Sequence, residues 1–177
     1  MPAASGSVRR FCAEVVRGSS SVEATRRDRA CRLASGADEL RAHFAIRRAV
    51  FCLEQGMFGG DDDHDPRDDD ALTLHALGTE AGVAGGTVRL YPLDGGALWQ
   101  GDRLAVLPAF RHGSLGGALV RFAIRTAGAR GGERMVAMIQ LPNVRFFLAL
   151  GWELDGPVGD FHGREHQPMA IALSAGA

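Results

Sequence analysis

The sequence contains no lysine, so all 20 of its basic residues are arginine. A Walker-type phosphate loop needs a lysine that reaches the β- and γ-phosphates, and that class of nucleotide site is therefore excluded. Schiff-base chemistry, including that of pyridoxal-phosphate enzymes, needs a lysine amine and is excluded as well. Any phosphate ligand of this chain must be bound by arginine, histidine and backbone N–H groups.

Cysteines and long apolar segments are also scarce. The three cysteines are odd in number and far apart, which predicts neither a disulfide framework nor a zinc site. Cys52 lies in an apolar helical pattern, which favours a core thiol over a reactive one. No apolar run approaches the ~20 residues that span a bilayer, and the N-terminus lacks the apolar core of a signal peptide. We therefore expect a cytoplasmic protein with no membrane partner.

The overall charge excludes another class of partner. The formal net charge is −1 and no basic patch is visible, so the sequence gives no indication of nucleic-acid binding. The hydrophobic fraction of 46% and the length of 177 residues suit a single domain with a buried core. We expect residues 1–27 to be a loosely attached extension with a short strand near 11–17, and residues 28–177 to form the domain.

Periodicity outlines the elements of that domain. Apolar residues at helical spacing predict a helix over 38–55 that ends before Gly56, and composition predicts a hairpin turn over 78–82. A helix follows a glycine-rich turn at 113–117, a short helix lies within 140–152, and two strands form the tail. Alternating or apolar segments predict the remaining strands, at 29–34, 71–77, 83–90, 98–106 and 134–139.

The segment 101–118, GDRLAVLPAFRHGSLGGA, is the most informative stretch of the chain. A strand ends before Pro108, and a glycine-rich turn leads into a helix. Alternation places Asp102 on the same strand face as Leu104 and Val106. The start of a helix presents unpaired N–H groups and the positive end of the helix dipole, so this turn is a candidate anion site.

A second notable segment, 59–70, reads GGDDDHDPRDDD. A solvated turn is the favoured interpretation. An acidic lid that attracts a cationic amine is the main alternative, and a divalent-metal loop is a third. The spacing of a calcium EF-hand loop is not met, because no Glu follows at the required distance, and no metal is expected.

The glycine-rich segment resembles the cofactor motif of the GNAT acyltransferases. In that family a strand is followed by an Arg/Gln-x-x-Gly-x-Gly/Ala turn whose amides hold the pyrophosphate of acyl-coenzyme A. Arg111 occupies the first position here, Ser114 the first glycine position and Gly116 the last. Serine is small and caps helices well, so the turn is expected to persist with altered geometry.

Three further segments resemble the same family. The helix contains Arg-x-x-Val-Phe-x-x-Glu-Gln at 47–55, which some GNAT branches carry and which autoinducer synthases share in part. The segment QLPNVRFFLALGW at 140–152 is similar to the element beside the pantetheine arm, with Phe147 where many members have a tyrosine. The tail matches Gly-x-x-His-x-x-Met at 163–169. As a set, these elements resemble a small GNAT subfamily of nitrogen-starvation acetyltransferases, often encoded near nitrilases, which implies a role in nitrogen metabolism.

The resemblance implies a mixed α/β fold with a mainly antiparallel central sheet flanked by helices. It also implies an N-acetyltransferase that moves an acyl group directly from acyl-CoA, most simply acetyl-CoA, to the amine of a small molecule. Two subunits often pair in this family. The cofactor-binding residues implied by the match are Leu104, Ala105, Val106, Arg111, His112, Gly113, Ser114, Leu115, Gly116, Gly117, Gln140, Asn143 and Phe147.

Three residues compete for the role of general base: Glu54 at the end of the first helix, Asp102 on the strand, and His166 in the tail. A structural role is an alternative for each of them, and so is a relay through water. Phe147 removes the usual proton donor to the leaving thiolate. Two other functions therefore stay open, a catalytically weak acyl-CoA-binding regulatory protein and an enzyme similar to acyl-homoserine-lactone synthases.

Overall fold

The computed structural model describes residues 28–59 and 62–174. Eight strands in this part of the chain form one sheet. Their bounds are β1 (Arg29–Leu33), β2 (Leu74–Glu80), β3 (Val83–Pro92), β4 (Leu98–Val106), β5 (Arg134–Gln140), β6 (Glu153–Leu154), β7 (Gly159–Phe161) and β8 (Arg164–Ala172). The strand order is β1-β2-β3-β4-β5-β8-β6, and β7 also pairs with β8.

Three α-helices flank the sheet: α1 (Gly36–Arg47), α2 (Leu115–Gly128) and α3 (Val144–Ala149). The helix predicted over 38–55 is confirmed, but its second half, Arg48–Glu54, is a π-helix. Its wider turns are visible where the Gln55 N–H donates to the Val50 carbonyl, five residues back, at 3.1 Å. Within the described residues no helix is long and apolar enough to cross a lipid bilayer.

Most of the predicted strands are confirmed, and the differences lie at turns. The turn expected over 78–82 is shorter, because β2 continues to Glu80 and only Ala81 and Gly82 adopt positive φ. The tail contains three strands instead of the expected two. The extension and the strand proposed near 11–17 lie outside the described residues. The result is a mixed α/β fold with an open, mostly antiparallel sheet between helices, as expected.

Two apolar clusters cover the two faces of the sheet. Leu115, Leu119 and Ala123 of α2 pack on one face against residues of β3, β4 and β5. Val50 and Phe51, in the π-helix, pack on the opposite face against β2 and β4. Burial of these side chains holds both helices on the sheet and fixes where their ends lie.

The sheet opens between β4 and β5, two adjacent strands that run parallel to each other. They pair at only three positions, from Leu98 with Arg134 to Gln100 with Val136. Beyond these positions the two strands separate, so the C-terminal half of β4 has no strand along this side. We call this opening the gap.

Candidate functional site

The C-terminal half of β4 presents a free backbone edge to the gap. Leu107 N–H donates to Gly85 O at 2.9 Å, so Leu107 is turned toward β3. By alternation Ala105 also faces β3, where it is paired with Thr87. The N–H groups of Leu104 and Val106 therefore point into the gap. The sequence predicted that Ala105 would bind the cofactor together with Leu104 and Val106, but the Ala105 N–H points away from the gap.

A β-bulge in β4 changes which side chains share a face. The β3–β4 register shifts by one residue between Ala105 and Asp102, and Arg103 has a positive φ of 50°. Asp102 therefore lies on the face of Arg89, whereas Leu104 packs toward the core cluster under α2. The prediction that Asp102 and Leu104 share a face is wrong, because the extra residue inverts the alternation.

The glycine-rich turn is exposed and leads directly into α2. Ala118 N–H makes the first helical hydrogen bond, to Ser114 O, so the N–H groups of Leu115, Gly116 and Gly117 precede the bonded part of the helix. Ser114 has an ordinary φ of −100°, which explains why serine can replace glycine there. Its hydroxyl accepts a hydrogen bond from Arg29 and does not cap the helix, contrary to expectation.

A cavity of about 680 Å³ opens beside this turn, and we call it the turn-side cavity. The start of α2, the free edge of β4 and one side of α3 form its walls. The lining residues that the sequence predicted for a cofactor are Leu104, Val106, Arg111, Gly113, Ser114, Gly116, Gly117, Gln140, Asn143 and Phe147. His112 is exposed and is outside this lining, and the Leu115 side chain is buried in the core.

Two arginines line the turn-side cavity, and one of them is paired with a carboxylate. Arg111 donates to both carboxylate oxygens of Glu54, at 2.7 and 2.5 Å, and to Val106 O at 2.8 Å. The hydrogen bond from Arg111 holds the pKa of the Glu54 carboxyl below its ordinary value. Arg121, which sequence reasoning missed, reaches back over Gly117, where a Cβ would lie 3.3 Å from its guanidinium. The i, i+4 spacing of Gly117 and Arg121 is the signal that could have indicated it.

A second cavity, of about 260 Å³, begins at the gap, and we call it the core cavity. Leu104, Gln140, Asn143 and Phe147 line both cavities, so the two meet at this junction. The Gln140 amide N–H₂ donates to Gln55 Oε1 at 2.9 Å, and the ring of Phe147 packs edge-on against Trp152. The junction thus holds no hydroxyl from residue 147.

Two of the three candidate bases line the core cavity. His166 is buried, and its Nδ1 lies 2.9 Å from Arg164 O, a carbonyl that can only accept. Nδ1 therefore carries the proton in the neutral ring, and Nε2 keeps its lone pair. Nε2 has no hydrogen-bond partner among the described residues. The third candidate, Glu54, is bound to Arg111 beside the other cavity.

Asp102 is held by an arginine instead of being free. Arg89 donates to its two carboxylate oxygens at 2.8 and 2.7 Å. The Tyr91 hydroxyl lies 3.4 Å from the same carboxylate. Burial, followed by the negative charge of Asp102, raises the pKa of Tyr91 to about 12. This arrangement matches the structural role that the sequence left open for Asp102.

The acidic segment is folded against the sheet, so the prediction of a solvated turn is wrong for its central residues. Asp63 and Asp68 are buried and bind Arg47, at 2.9 and 2.5 Å. Burial is the largest single influence on the pKa of Asp68 and by itself would raise it. The hydrogen bonds from Arg47 and from the Asp65 N–H, together with the charges of Arg47 and Arg89, outweigh burial, and the pKa is strongly lowered. Because these carboxylates are already paired with arginine, they are not available to attract a cationic amine as an acidic lid would.

More arginines complete this buried network. Arg89 also binds Asp65 and Asp68, at 2.7 and 2.9 Å, and Arg103 binds Asp63 and Asp65, at 3.1 and 2.9 Å. The sequence did contain a signal for this buried network: an arginine lies on the apolar face of the first helix, and a run of aspartates follows that helix. Among the described residues no group of three or more His, Cys, Asp or Glu side chains could hold a metal ion.

Comparisons with solved structures find proteins of the same fold. An N-acetyltransferase from Lactobacillus plantarum is 22% identical with a TM-score of 0.73, and the match covers 82% of this chain and 98% of that chain. An aminoglycoside 6'-N-acetyltransferase complexed with coenzyme A is 12% identical with a TM-score of 0.68, covering 81% and 97%. BjaI, a CoA-dependent acyl-homoserine lactone synthase, is 18% identical with a TM-score of 0.66, covering 77% and 76%.

Sequence comparisons add the family. A search among curated protein sequences finds no match. The model of the acetyltransferase (GNAT) family matches residues 45–152, more than half of the chain, including the π-helix, the free edge of β4, the glycine-rich turn and α3. The chain therefore belongs to the acetyltransferase (GNAT) family.

Proposed function

We propose that this protein transfers an acyl group from an acyl-CoA to the amine of a small molecule. The observation that carries the proposal is the turn-side cavity, where the exposed start of α2 and the free edge of β4 face the same space. A helix start binds phosphate through its N–H groups and dipole. An open strand edge can hydrogen-bond an extended amide chain such as pantetheine. The family match and the coenzyme A in the aminoglycoside acetyltransferase support this reading.

We assign the parts of the donor from the same geometry. The N–H groups of residues 112–117 hold the pyrophosphate, whereas the Arg111 N–H already donates to Pro108 O at 3.3 Å. Arg121 adds a positive charge, since the chain has no lysine to provide one. Leu104 and Val106 N–H bind the pantetheine arm and the thioester carbonyl at the gap. Gln140, Asn143 and Phe147 enclose the thioester at the junction. Ala105 is left out of this set, because its N–H faces β3.

The chemical step needs a base on the core-cavity side of the junction. We assign this role to His166, since Nε2 is the lone-pair nitrogen of its neutral ring and has no partner among the described residues, whereas Asp102 is already paired with Arg89. The amine nitrogen attacks the thioester carbon, its proton passes to Nε2, and Leu104 N–H stabilises the oxyanion. The C–N bond forms and the C–S bond breaks. Because Phe147 has no hydroxyl, water protonates the thiolate and recovers its proton from Nε2–H of His166, which restores the neutral ring.

Several finer predictions from the sequence belong to this proposal. Acetyl-CoA is the simplest donor and serves as the reference in any assay. Membership of the nitrogen-starvation subfamily, a cytoplasmic location, pairing of two subunits and the division into residues 1–27 and 28–177 remain predictions.

Calorimetric titration with coenzyme A tests the donor site. In Gly116→Val the new Cβ would lie 3.6 Å from Val106 Cγ2, and the side chain would extend into the cavity. We expect the Kd to rise at least about tenfold, because the N–H groups lose their access to phosphate. Ala118→Val, on the same helix but outside the cavity lining, is the matched control. Absence of binding by the unmodified protein at millimolar coenzyme A would refute the proposal.

A catalytically weak acyl-CoA-binding protein is the second candidate. The buried ring of Phe147 at the junction favours it, because the leaving thiolate has no tyrosine hydroxyl beside it. Release of free thiol in the presence of a panel of amines separates the candidates. S-adenosylmethionine belongs in that panel, since a lactone synthase would use it. Binding of coenzyme A without thiol release for any acceptor would favour the regulatory function.

A further inference from the structure

The core cavity crosses the sheet from one face to the other through the gap. On the α1 side it is lined by polar groups, namely those of Tyr91, Asp102 and His166. On the α2 side it is lined by Val120 and Ala123. No strand pairing closes this route, because β4 and β5 are paired only from Leu98 to Gln100. The cavity therefore joins the thioester junction to the interior under α2.

The part under α2, which we call the inner arm, is closed to solvent and apolar. Its lining side chains are nearly fully buried, with Ala123 2% and Met135 1% exposed. None of them carries a charge, and their one polar side-chain atom is Trp152 Nε1, which has no hydrogen-bond partner among the described residues. A polar ligand placed there would replace few of its hydrogen bonds to water. The members of the inner arm are Val88, Gly101, Val120, Ala123, Met135, Ala137, Ile139 and Trp152.

Small residues create this space. A Cβ on Gly101 would lie 3.2 Å from Met135 Sδ, so a larger residue there would crowd the wall. Ala123 on α2 and Ala137 on β5 line the cavity with side chains that extend no further than Cβ. Protein interiors are otherwise close-packed, and voids that exceed a water molecule are few. An apolar void at the site of reaction therefore has the properties of a binding site.

We infer that the inner arm binds the hydrocarbon chain of a medium-length acyl-CoA. This rests on the proposed function, since it concerns the acyl group of the same donor. With the thioester carbonyl at Leu104, the chain continues into the inner arm, while the acceptor amine approaches from the side of Tyr91 and His166. At roughly 30 Å³ for a water-sized group, the cavity of about 260 Å³ holds a chain of about six carbons together with the reacting amine.

The first test measures the Kd of coenzyme A and of its acetyl, butanoyl, hexanoyl, octanoyl and dodecanoyl thioesters by calorimetry. Each methylene buried in the arm should strengthen binding about fourfold, from 0.8 kcal/mol per methylene. The gain should stop near hexanoyl or octanoyl, where the arm ends. Equal Kd values for acetyl-CoA and hexanoyl-CoA, with normal binding of coenzyme A, would overturn the inference and leave the proposed function standing.

The second test fills the arm. Ala123→Leu and Ala137→Leu are expected to weaken hexanoyl-CoA about tenfold or more while the Kd of acetyl-CoA stays within twofold. Ala129→Leu, exposed at the end of the same helix, is the matched control and should change neither Kd. A uniform loss for hexanoyl-CoA and acetyl-CoA in both filled variants would contradict the placement of the chain. If both variants fail to fold, the chain-length series of the unmodified protein still decides the question.

Discussion

Replacement of Arg89 by methionine should be among the most destabilising single changes in this protein. Its side chain is 2% exposed and pairs with Asp65 and Asp102 at 2.7 Å and with Asp68 at 2.9 Å. Methionine keeps much of the volume but removes the charge that these three carboxylates share. Removal of one partner from a buried ion pair costs about 3–5 kcal/mol, because the remaining charge is left uncompensated.

Urea unfolding followed by circular dichroism measures this loss. With a slope of about 2 kcal/mol per molar urea, the midpoint should fall by about 2 M. Arg134→Met is the matched control, because Arg134 pairs with Asp155 at 2.6 Å but their side chains are 51% and 36% exposed. Such a surface pair contributes about 0–1 kcal/mol. A loss below 1 kcal/mol for Arg89→Met, equal to the control, would refute the reasoning.

The pH dependence of the same variant gives a second check. The pKa of Asp68 is lowered in the folded protein, so its contribution to stability is present above its ordinary pKa of 3.8 and is lost as the pH falls below it. The variant has already lost part of that contribution, since the positive charge of Arg89 is one of the interactions that lower the pKa of Asp68. The difference in free energy of unfolding between variant and unmodified protein should therefore narrow below about pH 4. A constant difference from pH 7 to pH 3 would contradict this.

Three predictions concern the site. His166→Gln should lower kcat by about 10² or more and leave the Kd of coenzyme A unchanged, and normal thiol release by this variant would exclude His166 as the base. Phe147→Tyr should raise kcat about tenfold by placing a hydroxyl at the junction, and an unchanged rate would show that thiolate protonation is not limiting. Arg121→Met should weaken coenzyme A about tenfold in a calorimetric titration, whereas Arg125→Met, outside the cavity lining, should not; equal Kd values would remove Arg121 from the donor site.

Much of the fold followed from local patterns. Alternation located the strand over 98–106 with the bounds that the structure shows, and the glycine-rich turn correctly predicted the helix that follows it. These features were readable because hydrophobic period and turn residues act over a few neighbouring positions. The bulge at Arg103 was not readable, because it depends on how β3 and β4 pair. That single inserted residue was enough to move Asp102 to the other face of the sheet.

The acidic segment 59–70 shows that the burial of charged residues is likewise not predictable from local sequence. Its composition suggested solvent exposure, since aspartates are rarely buried without partners. The partners, Arg47, Arg89 and Arg103, come from α1, β3 and β4, and only the packing of the sheet brings them to Asp63 and Asp68.

The sequence by itself determined the family, the α/β order of elements and the turn at the start of α2, because these are encoded in consecutive residues. The absence of lysine also determined that arginine, histidine and backbone N–H groups must bind any phosphate. Only the tertiary structure decided which amides of β4 face the gap, which candidate base has a free lone pair, and that a closed apolar arm extends beneath α2. Each of these depends on the distance between segments that are far apart in the chain, and local sequence carries no record of that distance.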